Sequence, residues 1–209
     1  MSPPPAVPTK PKSTSHRPRV YLAGDLVFRP DPESLFATLK AVCAAHGLEG
    51  VAPLDGQIDL SGLPPGLETT LSIVTADRNL MDSCDAGIFC LDPFRRAADM
   101  DPGTAVEIGY MAAQDKALEG YTVDGRSYPD KVRDYCARAW GEGLRLRQTT
   151  GGSGSLEDAD GLIVHSEGMV QNGMTEGFIR LSGGSVHVAT TLPEALALAA
   201  AALAKRLAD

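Results

Sequence analysis

Short apolar runs alternate along this chain with longer stretches in which apolar residues return every three or four positions. Val20-Tyr21-Leu22-Ala23-Gly24 is apolar and closes on glycine, the pattern of a buried strand running into a loop. Gly50-Val51-Ala52-Pro53-Leu54 repeats it, followed by Asp55-Gly56. Ala86-Gly87-Ile88-Phe89-Cys90-Leu91 predicts a third strand, Ala117 to Tyr121 a fourth and Ser185 to Ala189 a last. Between them lie helical patterns. Asp31-Pro32 opens one and Gly47 closes it. Glu68 to Ser83 shows helical spacing of apolar residues at Leu71, Val74 and Leu80, and Thr104 to about Gln114 forms another helix. Thr191-Leu192-Pro193-Glu194 caps an alanine-rich closing helix whose stripe is expected to pack on the sheet.

Strands that alternate with helices predict an α/β fold: a mostly parallel five-stranded sheet with helices on both faces. Two segments fall outside the pattern. Residues 1–17 are rich in Pro, Ser, Thr and Lys and read as a disordered tail. Residues 122–160 are polar, include Gly151-Gly152-Ser153-Gly154-Ser155, and read as a mobile excursion from a single domain spanning 18–209.

Composition narrows the function classes. A net charge of -8 over 209 residues argues against a nucleic-acid binder or a protein that docks on anionic membranes. The longest apolar stretch, Ala195 to Ala204, is too short to span a bilayer, and no secretory segment is visible, which predicts a cytoplasmic protein. Cys43, Cys84, Cys90 and Cys136 have no CxxC spacing and read as reduced, buried thiols. The four histidines share no ligand spacing, so no metal is expected. There is no GxxxxGK[ST], no GxGxxG after the first strand and no GxSxG elbow.

In such a sheet, ligands bind beyond the carboxyl ends of the strands. The loops there are Gly24-Asp25, Asp55-Gly56-Gln57, Asp92 and Asp99 to Glu107, and they are rich in acids. The most informative is Asp101-Pro102-Gly103-Thr104-Ala105-Val106-Glu107-Ile108-Gly109-Tyr110. A turn with an acid, a proline and a glycine enters a helix that is read as holding Glu107 in its first turn. A helix N-terminus keeps a nearby carboxylate ionised, and Gly103 admits a ligand close to the backbone. An aimed, ionised carboxylate can attack a sugar carbon. Thr104 and Glu107 equally spell a T-x-x-E capping box, which serves only to satisfy helix amides.

The ordered set Tyr21-Leu22-Ala23-Gly24, Leu54-Asp55-Gly56-Gln57, Asp77 ahead of Asp85, Asp101-x-Gly-Thr-x-x-Glu107-Ile-Gly-Tyr110 and Asn172-Gly173-Met174 resembles the nucleoside 2-deoxyribosyltransferase family. The resemblance implies a flavodoxin-like subunit and retaining, double-displacement exchange of 2-deoxyribose between bases. Glu107 would attack C1′ and form a deoxyribosyl-enzyme ester, and Tyr21 would orient that carboxylate. Asp77 and Asp101 would hold the base and manage its proton. Gln57 would recognise the base, with Gly24 and Gly103 lining the substrate site. Asn172, with Met174, would reach the sugar 5′-hydroxyl in the neighbouring subunit's site. The plain alternatives are a core tyrosine at 21 and a turn residue at 172.

The implied partners are a deoxynucleoside and a free nucleobase, in a homo-oligomer (a dimer or a dimer of dimers) that shares its sites, with no cofactor. The chemistry is consistent with this reading. A carboxylate under C1′ stabilises an oxocarbenium-like state, and a second acid with a raised pKa, Asp77 or Asp101 crowded by Glu107, protonates the leaving base. The alternative enzyme is an N-glycoside hydrolase of deoxynucleosides or their 5′-monophosphates, for which Ser166 or Arg180 would be the phosphate contacts. A non-catalytic nucleoside sensor is the third reading; the intact acid set argues against it.

Overall fold

A computed structural model of the protein describes residues 17–56, 64–147, 154–166 and 168–208. Nearly all of the expected tail, together with Gln57 and most of the glycine–serine run, lies outside the described residues.

The chain runs β1 (Arg19–Ala23), a 3-10 turn (Asp25–Phe28), α1 (Pro32–Ala45), β2 (Glu49–Val51), a second 3-10 turn (Pro53–Gly56) and α2 (Leu67–Asp82). It continues through β3 (Ala86–Cys90), α3 (Pro102–Ala112), β4 (Ala117–Thr122), α4 (Tyr128–Trp140) and the short strands β5 (Arg145–Leu146), β6 (Leu156–Glu157) and β7 (Ile163–Val164). It ends with α5 (Gly173–Leu181), β8 (Val186–Val188) and α6 (Leu192–Ala208).

Five strands form one sheet in the order β2-β1-β3-β4-β8, and every neighbouring pair is parallel. All five residues of β3 are buried, as expected of a strand covered on both faces. On one face Val20, Leu22, Ala86 and Ile88 meet Phe36 and Leu39 of α1 and the Ala195, Leu196, Ala199 and Leu203 stripe of α6. The closing helix therefore packs on the sheet, as its pattern predicts. On the other face Tyr21, Ala23, Phe89 and Leu118 meet Met81 of α2, Ile108 and Met111 of α3 and Ile179 of α5. Truncating one of these, such as Ile88→Ala, is expected to cost about 2–5 kcal/mol. The cap expected at the start of α1 forms. Asp31 accepts the Ser34 amide at 3.2 Å, with Pro32 in the first turn of α1.

The excursion differs from its expected form. Within 122–160 lies α4, thirteen residues long, capped by Ser127 and closed by Gly141 in the left-handed conformation. Antiparallel β5, β6 and β7 form a small second sheet beyond it. The helix was hidden because its buried residues are Tyr128, Lys131 and Cys136, only one of them strongly apolar in pattern. Its punctuation, Ser127 with Pro129 in the first turn and Gly141 at the end, is legible in the sequence. α5 also went unread: it is nine residues long, and a glycine stands at its start and another inside it.

Candidate active site

The sheet order reverses between β1 and β3, so the crevice lies where these two strands end. Gly24 makes that crevice possible. Its φ of +152° is a conformation that side-chain-bearing residues rarely adopt, and a Cβ there would sit 2.6 Å from Cys90 Cβ. The chain leaves β1 against the end of β3 and turns outward. A cavity of about 310 Å³ opens there. Val27, Phe28, Pro53, Leu54 and Ile73 give it apolar walls; Asp77, Asp101 and Glu107 give it three carboxyls. Gly24, Gly103 and Thr104 complete the lining, and no lysine or arginine lines it among the described residues.

Asp101 caps α3. Its Oδ2 accepts the Thr104 amide at 2.9 Å and the Thr104 hydroxyl at 3.1 Å. The expected capping box is therefore not made. The cap is Asp101, Thr104 is the residue it holds, and Glu107 lies in the second turn, where no amide awaits a partner. Pro102 accounts for the shift, because it sits in the first turn with its φ already set for a helix. Gly103 has its own reason to be glycine: a Cβ there would stand 2.9 Å from Asp101 Oδ2 and disturb the cap.

Glu107 is thus free for another role, and Tyr21 meets it. The Tyr21 hydroxyl, reaching out of β1, donates to Glu107 Oε1 at 2.7 Å. The tyrosine ring is fully buried in the core, so Tyr21 is a core residue whose hydroxyl also reaches Glu107. Burial raises the Glu107 carboxyl to about 7; the Tyr21 bond opposes this, and the charges of Asp77 and Asp101 add to it. Tyr21 is itself pushed far above its ordinary value, by burial first and then by the Glu107 charge and hydrogen bond. Asp77, on α2, is raised by burial. The expected raised acid is present at Asp77, and desolvation rather than crowding by Glu107 is the cause.

The structure brings together Tyr21, Gly24, Asp77, Asp101, Gly103 and Glu107. Asn172 and Met174 lie elsewhere in the subunit. Asn172 caps α5, its Oδ1 accepting the Met174 amide at 3.0 Å, and it lines a second cavity of about 290 Å³ with Asp99, Tyr128 and His165. Met174 is 65% exposed on the first turn of α5. Sequence reasoning missed the apolar walls, above all Phe28, which stays 61% exposed while lining the cavity. Its ring lies 5.5 Å from that of Phe94, over which Arg95 is placed at 4.6 Å. The available signal was a Phe in the loop that follows the strand-end Gly24.

Fold and site together define an α/β protein with a carboxylate-bearing cavity at the switch point of a parallel sheet. The sequence profile of the nucleoside 2-deoxyribosyltransferase family matches residues 20–174, and the chain belongs to that family. It is 63% identical over 198 residues to an uncharacterized protein of Schizosaccharomyces pombe, covering 94% of each chain. Among solved structures it is similar to a 2-desoxiribosyltransferase from Leishmania mexicana, with a TM-score of 0.57 and 25% identity over 88% of this chain and 97% of that one. A conserved protein of Enterococcus faecalis V583 shares the fold, with a TM-score of 0.54 at 17% identity over 88% of this chain and 98% of that one. No helix among the described residues is long and apolar enough to cross a membrane.

Proposed function

We propose that the protein transfers 2-deoxyribose between nucleobases by retaining double displacement, with Glu107 as nucleophile. The observation that carries this is the 2.7 Å bond from Tyr21 to Glu107 at a cavity that also holds Asp77 and Asp101. Glu107 Oε1 accepts the bond and Oε2 has no other partner in the described structure, so one oxygen is held while the other faces the substrate. The nucleoside C1′–N bond breaks as Glu107 approaches C1′, and the carboxylate stabilises the positive charge before bonding to it. Asp77, its pKa raised by burial, supplies the proton to the departing base. Asp101 holds the base edge from its fixed place at the α3 cap. A second base then attacks C1′ from the face the first one left, passing its ring N–H proton to the Asp77 carboxylate. The ester bond between C1′ and Glu107 breaks to free the carboxylate. Phe28 gives that base a ring to stack on, and Gln57 completes its recognition.

A neutral nucleoside is favoured over a 5′-monophosphate, because the described lining carries carboxyls and no lysine or arginine. Asn172 and Met174 reach the sugar of a neighbouring subunit in a homo-oligomer with shared sites. Leu67, Leu71 and Val74 of α2 and Met174, Phe178 and Leu181 of α5 are exposed apolar residues at helical spacing, the surface such an assembly would cover. The role this implies is nucleoside salvage in the cytoplasm.

The test is chromatography of the purified protein with 2′-deoxyinosine, with and without cytosine. Deoxycytidine that appears only with cytosine is the expected result. Hypoxanthine and free deoxyribose at equal rates in both tubes would give the reaction to water and make the protein a hydrolase.

A further inference from the structure

Away from the Glu107 cavity, the turn 169–172, just before α5, is held by several hydrogen bonds from buried side chains. Three side chains that are almost completely inaccessible serve it: Lys131, Gln171 and Glu176. Glu176 Oε2 accepts the amides of Val170 at 2.8 Å and Gln171 at 3.1 Å, while Oε1 accepts Arg180 Nη2 at 2.6 Å. Lys131 Nζ donates to the Val170 carbonyl at 2.7 Å, and the Tyr128 amide donates to the Met169 carbonyl at 2.9 Å. Gln171 faces both ways. Its Nε2 donates to the Leu91 carbonyl at 3.2 Å, and its Oε1 accepts the Asn172 amide at 2.9 Å.

Burying three such groups is costly unless each is satisfied, and capping a nine-residue helix needs only Asn172. The remaining bonds fix where Asn172 stands. Leu91 directly follows β3, and from it the chain leads to Asp101 and Glu107. Tyr128 approaches Asn172 from the other side. Its hydroxyl donates to Asp99 Oδ1 at 3.0 Å, on the same loop, and its side chain lines the same cavity as Asn172.

We propose that Gln171 is a positioning residue for sugar recognition: it ties the Asn172 turn to the strand end that carries the catalytic loop, with Tyr128 as the second tie through Asp99. In an oligomer with shared sites, this register sets how far each Asn172 reaches into its neighbour's cavity. The inference rests on the reading of Asn172 as the sugar-binding residue.

The experiment compares KM and kcat for 2′-deoxyinosine, in whichever of exchange or hydrolysis the wild-type protein performs. The variants are Asn172→Ala, Gln171→Met, Tyr128→Phe and the double variant Gln171→Met/Asn172→Ala. Gln171→Met keeps the volume and deletes both bonds. It is expected to raise KM roughly five- to ten-fold, as Asn172→Ala does, with kcat within about two-fold. The double variant is expected to be no worse than Asn172→Ala alone, since an unused tie adds nothing. Tyr128→Phe removes one hydroxyl from a partly open wall, and a rise of roughly three-fold in KM is expected. It decides the matter if Gln171→Met does not fold.

Wild-type KM in Tyr128→Phe or Gln171→Met overturns the proposal, as do effects that multiply in the double variant. An unchanged KM in Asn172→Ala overturns it as well. Failure of the transferase reading shows separately, in the wild-type product pattern.

Discussion

Glu107 rides on α3, whose Ile108 and Met111 are anchored in an apolar core beneath the sheet. Asn172 stands on a turn anchored by Lys131, Gln171 and Glu176, all buried and all polar. The first kind of support is non-directional and spread over many contacts, so loss of one side chain lowers stability more than it moves the helix. The second is directional. Each bond has one geometry, and removing a partner leaves a buried group unsatisfied. The difference suggests a division of labour: the chemistry is placed on the part that tolerates change, and the reach toward the sugar on the part that does not. On this view, variants in the Glu107 cavity change turnover with little effect on folding, and variants around Asn172 change KM.

The largest expected effect tests the first half of that contrast. Glu107→Ala should lower turnover at least about a thousand-fold, because the nucleophile is gone while the helix keeps its anchors. Mass spectrometry of wild-type protein quenched with deoxynucleoside should show a deoxyribosyl adduct that the variant lacks. Near-normal exchange by Glu107→Ala would end the covalent mechanism.

Asp101→Asn is next and separates scaffold from chemistry in one residue. Asn caps a helix about as well as Asp, so the Thr104 bonds can persist and the melting temperature should stay within about 2 °C. Loss of the charge at the base edge should lower turnover roughly a hundred-fold. An equal loss of stability and activity would mean that Asp101 only caps.

A smaller effect is expected of Tyr21→Phe, and its direction is fixed by electrostatics. The Tyr21 bond holds the Glu107 carboxyl down against the burial that raises it to about 7. Its removal should move the acid limb of kcat/KM up by about 0.5 to 1 pH unit, with about a ten-fold loss of turnover at neutral pH. A limb that stays in place would show that Glu107 is not the group being titrated.

The same contrast governs what the sequence disclosed. The five strands, α1, α3 and α6 were legible because apolar periodicity reports the burial that holds them, and α2 showed helical spacing although Leu71 and Val74 are exposed. The cavity acids were legible through their order along the chain, as a family pattern. The turn at 169–172 was not, because its anchors are charged or amide side chains, which a hydropathy pattern assigns to the surface. Lys131 sits in a sequence that reads as a polar excursion, yet is 2% exposed. The capping box was misread for a related reason: Thr104 and Asp101 both have capping chemistry, and only the helix start, set at Pro102, decides which one caps.

The smallest expected effect is on stability. Glu107 has its ordinary carboxylate pKa near 4.5 in the unfolded chain and about 7 in the folded one. Below pH 4.5 it is protonated in both states and costs folding nothing. As pH rises toward 7 the unfolded chain gives up a proton that the folded protein keeps, so stability falls through that window and levels off above it. Glu107→Gln removes the titration and can still accept the Tyr21 hydroxyl. Allowing for partial exposure, it should gain about 1–2 kcal/mol over wild type at pH 8, a rise of roughly 3 to 6 °C in melting temperature, and nothing near pH 4.5. Equal melting temperatures at both pH values would show that the carboxylate is well solvated and that its pKa is ordinary. A gain confined to high pH would show that the cavity keeps an ionised acid at the expense of the fold, which is expected of a group retained for reactivity rather than packing.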